Sequence, residues 1–257
     1  MLLVIDVGNS NTVAGVYDNK ELLIHWRFTT DRNKTADEFG ILILNMFKYG
    51  HIDGFKIDGI IISSVVPPVT IPLCHMCERY FNTKPLVVSN ELKTGINIKY
   101  DNPKEVGADR IVNAVAAFTK YADKKRPMII LDFGTANTYC ALKPNGDYLG
   151  GAIAPGIGIS SEALFAKCSK LPRIELVVPE QIICQNTVSS MQAGIMIGAV
   201  GQMELIVKRM KMDLGEDSLV IATGGFANTL SGYSDVIDVV EPFLTLDGLR
   251  ILYEMNC

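Results

Sequence analysis

The chain has 257 residues, of which 48% are hydrophobic and 20% charged, with a formal charge of −4. That composition suits a globular protein with ample core material, of one large or two ordinary domains, and it argues against nucleic acid as the default partner. The opening residues show no basic region or small-residue cleavage site. The most membrane-like stretch, AGIMIGAVG at 193–201, is far shorter than the ~20 apolar residues a span needs, so the sequence predicts no signal peptide, no membrane partner and a cytoplasmic location.

Residues 1–29 read as three strands, LLVIDV, TVAGVY and LLIHWRF, with DNKE as the turn between the second and third. A helix is predicted over 35–48, with Thr35 as N-cap and Glu38 three residues on, the pattern of a capping box. GIIISSV at 59–65 is a buried-strand run stopped by Pro67 and Pro68, followed by a helix near 69–81, the short strand PLVVS, and a helix within 104–121. The segment DKKRP, 123–127, reads as a linker, and beyond it the order restarts: MIILDF, NTYCALK and DYLGGAIA as strands, with PNGD as a turn. Helices near 157–168, 187–212 and 245–255 and a strand LVIATGG at 219–225 complete the chain.

The restart is visible residue by residue. LVIDVGNSNT at 3–12 and IILDFGTANT at 129–138 place Asp6, Gly8, Asn11 and Thr12 on Asp132, Gly134, Asn137 and Thr138. This repeat predicts an internal duplication, with domains at 1–122 and 123–257 and a cleft between them. An Asp ending a buried strand is expensive unless its charge is used. Such a carboxylate suits a hydrated Mg²⁺, a hard cation that takes oxygen ligands and phosphate. The loop glycine allows close backbone approach, and Ser10, Asn11, Thr12, Thr135, Asn137 and Thr138 offer donors to phosphate oxygens. Ordinary hairpin turn chemistry uses the same residue types, so the weight lies in the repetition. Gly224–Gly225 after a strand offers a surface on which a flat adenine or ribose can lie, although the motif by itself reads first as a simple strand–helix turn. No Walker A loop and no G-x-G-x-x-G after a strand occurs.

Cys74 and Cys77 form a C-x-x-C on a predicted amphipathic helix, without a second pair of ligands, and read as buried free thiols. Two helices carry small faces, Gly107, Ala108, Ala114, Ala116 and Ala117 in one and Ala193, Gly194, Gly198, Ala199 and Gly201 in the other. A crossing of the two would make a hinge, and plain close packing is the alternative.

These features together resemble the acetate and sugar kinase, Hsp70 and actin superfamily and, more closely, its type III pantothenate kinases. The resemblance rests on DVGNSNT at 6–12, SSVVPP at 63–68, GADRIVNA at 107–114, DFGTANT at 132–138, GGAIAPG at 150–156, TVSSMQAG at 187–194 and ATGG at 222–225. It implies an α/β fold of two ribonuclease-H-like, actin-like ATPase domains and ATP-dependent phosphorylation of pantothenate, the first step of coenzyme A synthesis. By the same resemblance Asp6, Val7, Gly8, Asn9, Ser10, Asn11, Thr12 and Val13 cradle ATP, Asp6 lies near the Mg²⁺, and Thr135 contacts ATP. Asp132 helps bind a monovalent cation, K⁺ or NH₄⁺. Tyr100, Gly107, Ala108, Asp109, Arg110 and Thr187 hold pantothenate, Asp109 accepts the substrate proton, and the protein is a homodimer. Ser10 and Asn137 stand where many members have Thr. Read without the family, Asp109–Arg110 is better taken as a structural pair at a helix start, where an Asp suits the dipole.

Overall fold

The computed structural model describes residues 1–89 and 91–257, which form two compact units. The first comprises Met1–Asn97, Asp101–Thr119 and Phe243–Cys257; the second comprises Ile98–Tyr100 and Lys120–Pro242.

In the first unit, strands β1 (Leu2–Val7), β2 (Asn11–Asp18), β3 (Glu21–Thr29), β4 (Gly59–Ser64) and β5 (Leu86–Val87) form a sheet in the order β3-β2-β1-β4-β5. Helix α1 (Ala36–Tyr49) starts at the expected capping box: the Thr35 side chain accepts from Glu38 N–H, and the Glu38 carboxylate accepts from Thr35 N–H at 2.8 Å. Helix α2 (Pro67–Phe81) has Pro at its first position, where no backbone donor is needed. Side chains alternate across β1. Leu3, Ile5 and Val7 enter a core with Phe39, Ile43 and Phe47 of α1 and Val69, Leu73 and Met76 of α2. Leu2, Val4 and Asp6 therefore share the opposite face.

The second unit repeats this plan. Strands β7 (Met128–Phe133), β8 (Ala136–Leu142), β9 (Asp147–Pro155), β10 (Leu219–Gly224) and β11 (Val239–Val240) run β11-β10-β7-β8-β9, with β6 (Asn97–Ile98) added at the β9 edge. Ile129, Leu131 and Phe133 enter a core with Ile157 of α4 (Ile157–Lys167) and with residues of a long helix from Thr187 to Leu214. That helix comprises α5 (Thr187–Gln192), a π-helical segment Ala193–Ile197 and α6 (Gly198–Leu214). Its 28 residues are long and apolar enough to cross a membrane by length and composition, more than residues 193–201 alone suggest. Packing accounts for the apolarity: Met196, Val200, Met203 and Val207 are buried in this core, while Glu204, Lys208 and Arg209 are exposed. The short α7 (Ala227–Ser231) follows β10.

The strand orders coincide, and Asp6 and Asp132 occupy the same place in each. The hairpin registers do not coincide. Asp6 pairs with Val13 and Val7 with Thr12, whereas Asp132 pairs with Thr138 and Phe133 with Asn137. The first loop is one residue longer, so the structural counterpart of Thr12 is Asn137, not Thr138 as the constant sequence offset implies.

The expected boundary at 122/123 needs correction. The chain passes into the second unit at Lys120, residues 98–100 already belong there, and the closing helix α8 (Leu244–Asn256) returns to the first unit. The reason is an apolar helix face with a partner waiting: α8 packs on β1, β2 and β4, and the Tyr17 hydroxyl donates to Asp247 at 2.8 Å. Helix α3 (Ala108–Tyr121) also lies against α8, where the Thr245 hydroxyl donates to Asn113 at 2.7 Å. Of its small face, Ala114, Ala116 and Ala117 are fully buried. Gly194, Gly198 and Gly201, by contrast, would have no atom within 4 Å of an added Cβ, so no close helix approach explains them.

At Gly248 an added Cβ would strike the Val112 carbonyl oxygen. The backbone cannot yield as a side chain would, so Gly248→Ala is expected to destabilise the protein by ~1–3 kcal/mol, read as a lowered urea midpoint at unchanged m-value.

Candidate active site

In the first unit the loop after β1 is tied down on three sides. Gly8 N–H donates to Asn11 O at 3.1 Å, Thr30 N–H donates to Ser10 O at 3.0 Å, and the Thr30 hydroxyl donates to Gly8 O at 2.7 Å. With the Thr30 proton engaged, the 2.9 Å contact between the Thr12 and Thr30 hydroxyls has Thr12 as donor. Thr12 is fully buried and holds the loop, while Asn9, Ser10 and Asn11 are exposed. Asn9 accepts from Arg32 at 3.3 Å. Asp6, at the end of β1, pairs in parallel register with Ser63 on β4.

The start of α3 lies beside this loop. Val65 N–H donates to Val7 O at 3.1 Å, and Val65 Cγ1 is 3.8 Å from where a Gly107 Cβ would stand. Val65 thus links the end of β1, next to Asp6, to Gly107 at the start of α3. Gly107 is required there, since its Cβ would sit 2.5 Å from Asp109 Oδ1. Asp109 accepts from Arg110 N–H at 2.8 Å. Burial raises its pKa above the usual carboxylate value, only partly offset by that hydrogen bond and the Arg110 charge. A carboxylate held this way is a stronger base than a free one. Arg110 is buried, and its guanidinium offers planar donors matched to a carboxylate.

In the second unit Asp132 pairs in parallel register with Thr223 on β10, as Asp6 does with Ser63. Gly134 N–H donates to Ala136 O at 3.3 Å, and Thr135 O accepts from Gly156 N–H at 3.1 Å. Gly224 has a φ of +91°, and its Cβ would lie 2.6 Å from Asp132 Oδ1. The glycine pair thus has a local duty besides any offered surface: it makes room for the carboxylate. Tyr100 packs on Gly150, whose Cβ would meet the ring at 2.8 Å. Thr187 is the exposed first residue of α5, behind an Asn186 N-cap that accepts from Ser189 N–H at 2.9 Å. It lines an open cavity of about 760 Å³ with Cys184, Asn186, Ser190 and Met191.

No group of three or more His, Cys, Asp or Glu side chains gathers among the described residues. An ion at Asp6 or Asp132 would complete its shell with hydroxyl, carbonyl, water or phosphate oxygens. One carboxylate with substrate phosphates is what Mg²⁺ ordinarily accepts from a protein, and the space beside Asp132 Oδ1 exists only because residue 224 is Gly. Both donor sets fit hard cations. Cys74 and Cys77 are free thiols on α2, and burial raises the Cys77 pKa further above the thiol range.

A family model described as type III pantothenate kinase matches residues 2–209. The chain belongs to the type III pantothenate kinase family. Its reaction is the ATP-dependent phosphorylation of pantothenate, in the pathway to coenzyme A. Among solved structures it is similar to a protein described as a Baf family transcriptional activator from Campylobacter jejuni, with a TM-score of 0.61 and 19% identity over 98% of this chain and 97% of that one. It is also similar to the ethanolamine utilization protein EutJ from Carboxydothermus hydrogenoformans (0.56, 16%, 98% and 89%). A third likeness is to the inorganic polyphosphate/ATP-glucomannokinase from Arthrobacter sp. strain KM (0.52, 11%, 98% and 98%). At these identities the structural likenesses establish the shared α/β, actin-like and sugar-kinase fold.

Sequence reasoning assigned no role to Ser63, Val65 or Thr223. The runs IIISS and VIAT do end in hydroxyl residues, the available signal for the register neighbours of the two Asp residues. Nothing in the order of residues marks Val65 as the bridge to Gly107.

Because the folded state raises the Asp109 pKa, its contribution favours folding below the unfolded-state pKa and is lost as pH rises through the folded value. At neutral pH the ionised carboxylate is therefore a burden. Asp109→Asn, which keeps the acceptor for Arg110 N–H, is expected to raise Tm at pH 7, by a margin that shrinks as the pH falls toward 4. An equal or lower Tm at pH 7 would count against this reading of the burial.

Gly224→Ala combines a left-handed φ with a clash at Asp132. It is expected to cost ~1–3 kcal/mol, measurable by chemical denaturation.

Proposed function

We propose that Asp109 is the group that accepts the proton of the pantothenate primary hydroxyl. The carrying observation is its carboxylate, lodged against Gly107 at the start of α3 with its basicity raised by burial. As the proton moves to Asp109, the hydroxyl oxygen bonds to the γ-phosphorus, the bond from that phosphorus to the β,γ-bridging oxygen breaks, and ADP leaves. Phosphoryl transfer through a loose transition state asks for positioning and charge neutralisation more than covalent help, and the remaining assignments follow that logic.

Residues 6–13 cradle the ATP phosphates through loop N–H groups and exposed polar side chains, and Thr135 contacts ATP. Asp6 would hold Mg²⁺, and Asp132 a monovalent cation, K⁺ or NH₄⁺. When bound, those ions would supply positive charge that offsets the charge of the phosphates. Tyr100, Gly107, Ala108, Arg110 and Thr187 hold pantothenate, with Arg110 placed to meet its carboxylate. The reading includes a cytoplasmic homodimer acting on small molecules, with neither nucleic acid nor membrane as partner.

Protein incubated with ATP, Mg²⁺, pantothenate and either K⁺ or NH₄⁺ is expected to yield 4′-phosphopantothenate and ADP, with loss of turnover when both monovalent cations are replaced by Na⁺. Asp109→Asn is expected to lower kcat by ~10²-fold or more. Because the base must be ionised, wild-type kcat should fall on acidification with an apparent pKa above the ordinary Asp value of about 4. Unchanged turnover in the variant would remove Asp109 from this role.

A further inference from the structure

The register-equivalent residues Thr12 and Asn137 are both buried at the first rungs of their hairpins, yet only one is satisfied. Thr12 has its hydroxyl on Thr30. Asn137 is 2% exposed, and its Oδ1 finds no hydrogen-bond partner among the described residues. A buried amide oxygen left in that state costs ~1–3 kcal/mol. Two positions along the same face of β8, the fully buried Tyr139 hydroxyl is also without a partner, and burial raises its pKa to about 12.

Asn137 pairs with Phe133. Directly opposed residues in an antiparallel pair share a face, so Asn137 is on the side of the sheet covered by α4 and the π-helical segment. There it forms part of the wall of a cavity of about 420 Å³, with Ile157, Ser160, Ile195 and Gln202 among the other wall residues. Leu164, Gly194 and Ile195 belong both to this wall and to that of the larger cavity lined by Thr187. The two are therefore neighbouring parts of one depression in the second unit. Gly194 and Gly198 keep its rim low, since a Cβ at either would project into open space. The helix departs from α-geometry at this wall, and π-turns inside helices recur at functional sites.

We propose that this cavity receives the aliphatic hydroxy-amide body of the acceptor and that Asn137 Oδ1 accepts its amide N–H. Pantothenate carries a branched aliphatic centre suited to Ile157, Leu164 and Ile195, and an amide donor suited to an orphaned carbonyl oxygen. The inference rests on the reading of Thr187 as a pantothenate contact, and it makes Asn137 a specificity-determining binding residue. A site whose buried acceptor needs a donor discriminates against analogues lacking one.

The test uses the full-length protein. Asn137→Ala is expected to raise KM for pantothenate about tenfold, with KM for ATP within about twofold. A variant-free arm guards against misfolding: the pantothenate analogue with an ester oxygen in place of the amide N–H should lose about tenfold in kcat/KM with the wild-type enzyme. That loss should largely vanish in Asn137→Ala. If the wild type makes phosphopantothenate but neither the variant nor the ester analogue changes kcat/KM for the acceptor, the inference is overturned. A rise in KM for ATP instead, which would put Asn137 on the nucleotide, overturns it too. If the wild type makes no phosphopantothenate under any cation condition, it is the proposed function that fails.

Discussion

Each unit is organised around a carboxylate at the end of its central strand. Asp6 and Asp132 sit with a buried antiparallel hairpin on one side and a parallel strand on the other, and a charge so placed is costly unless something answers it. The surroundings repeat in both units: a polar loop turning back on its glycine, and a hydroxyl residue, Ser63 or Thr223, at the matching position of the parallel neighbour, the Ser63 hydroxyl making no hydrogen bond among the described residues. In the second unit the requirement reaches further, since Gly224 must be glycine so that the Asp132 carboxylate has space.

The copies have since specialised. The first loop is one residue longer and fully braced, with Thr12 and Thr30 locking it from inside. The second has Asn137 at the equivalent position, unbraced and facing a cavity. A duplicated element thus holds itself in one unit and presents an acceptor in the other. Asp109 shows a related tension: Gly107 and its surroundings confine a carboxylate whose ionised form is disfavoured by burial, which trades stability for basicity.

Much of the fold and of the site could be read from the chain itself, because periodicity and punctuation act locally. The alternation in LLVIDV and MIILDF, the Thr35–Glu38 capping box and the prolines ahead of α2 each dictate their element through neighbours a few residues away. The spaced motifs that carry the family resemblance survive as unbroken phrases around Asp6, Asp109 and Asp132 for the same reason.

What only the tertiary structure decided involves residues distant in sequence. That α8 rejoins the first unit depends on Tyr17 meeting Asp247 and on Val112 meeting Gly248, pairs more than a hundred residues apart. That Val65 links the end of β1 to Gly107, and that Thr12 matches Asn137 rather than Asn137 matching Asn11, depend on strand register, which a constant sequence offset conceals when one loop gains a residue. The sequence determined which chemical groups are present and in what local conformation. Tertiary packing decided which of them are buried, which are satisfied and which are left with an unanswered hydrogen bond, because burial and pairing belong to neighbours that the chain supplies from elsewhere.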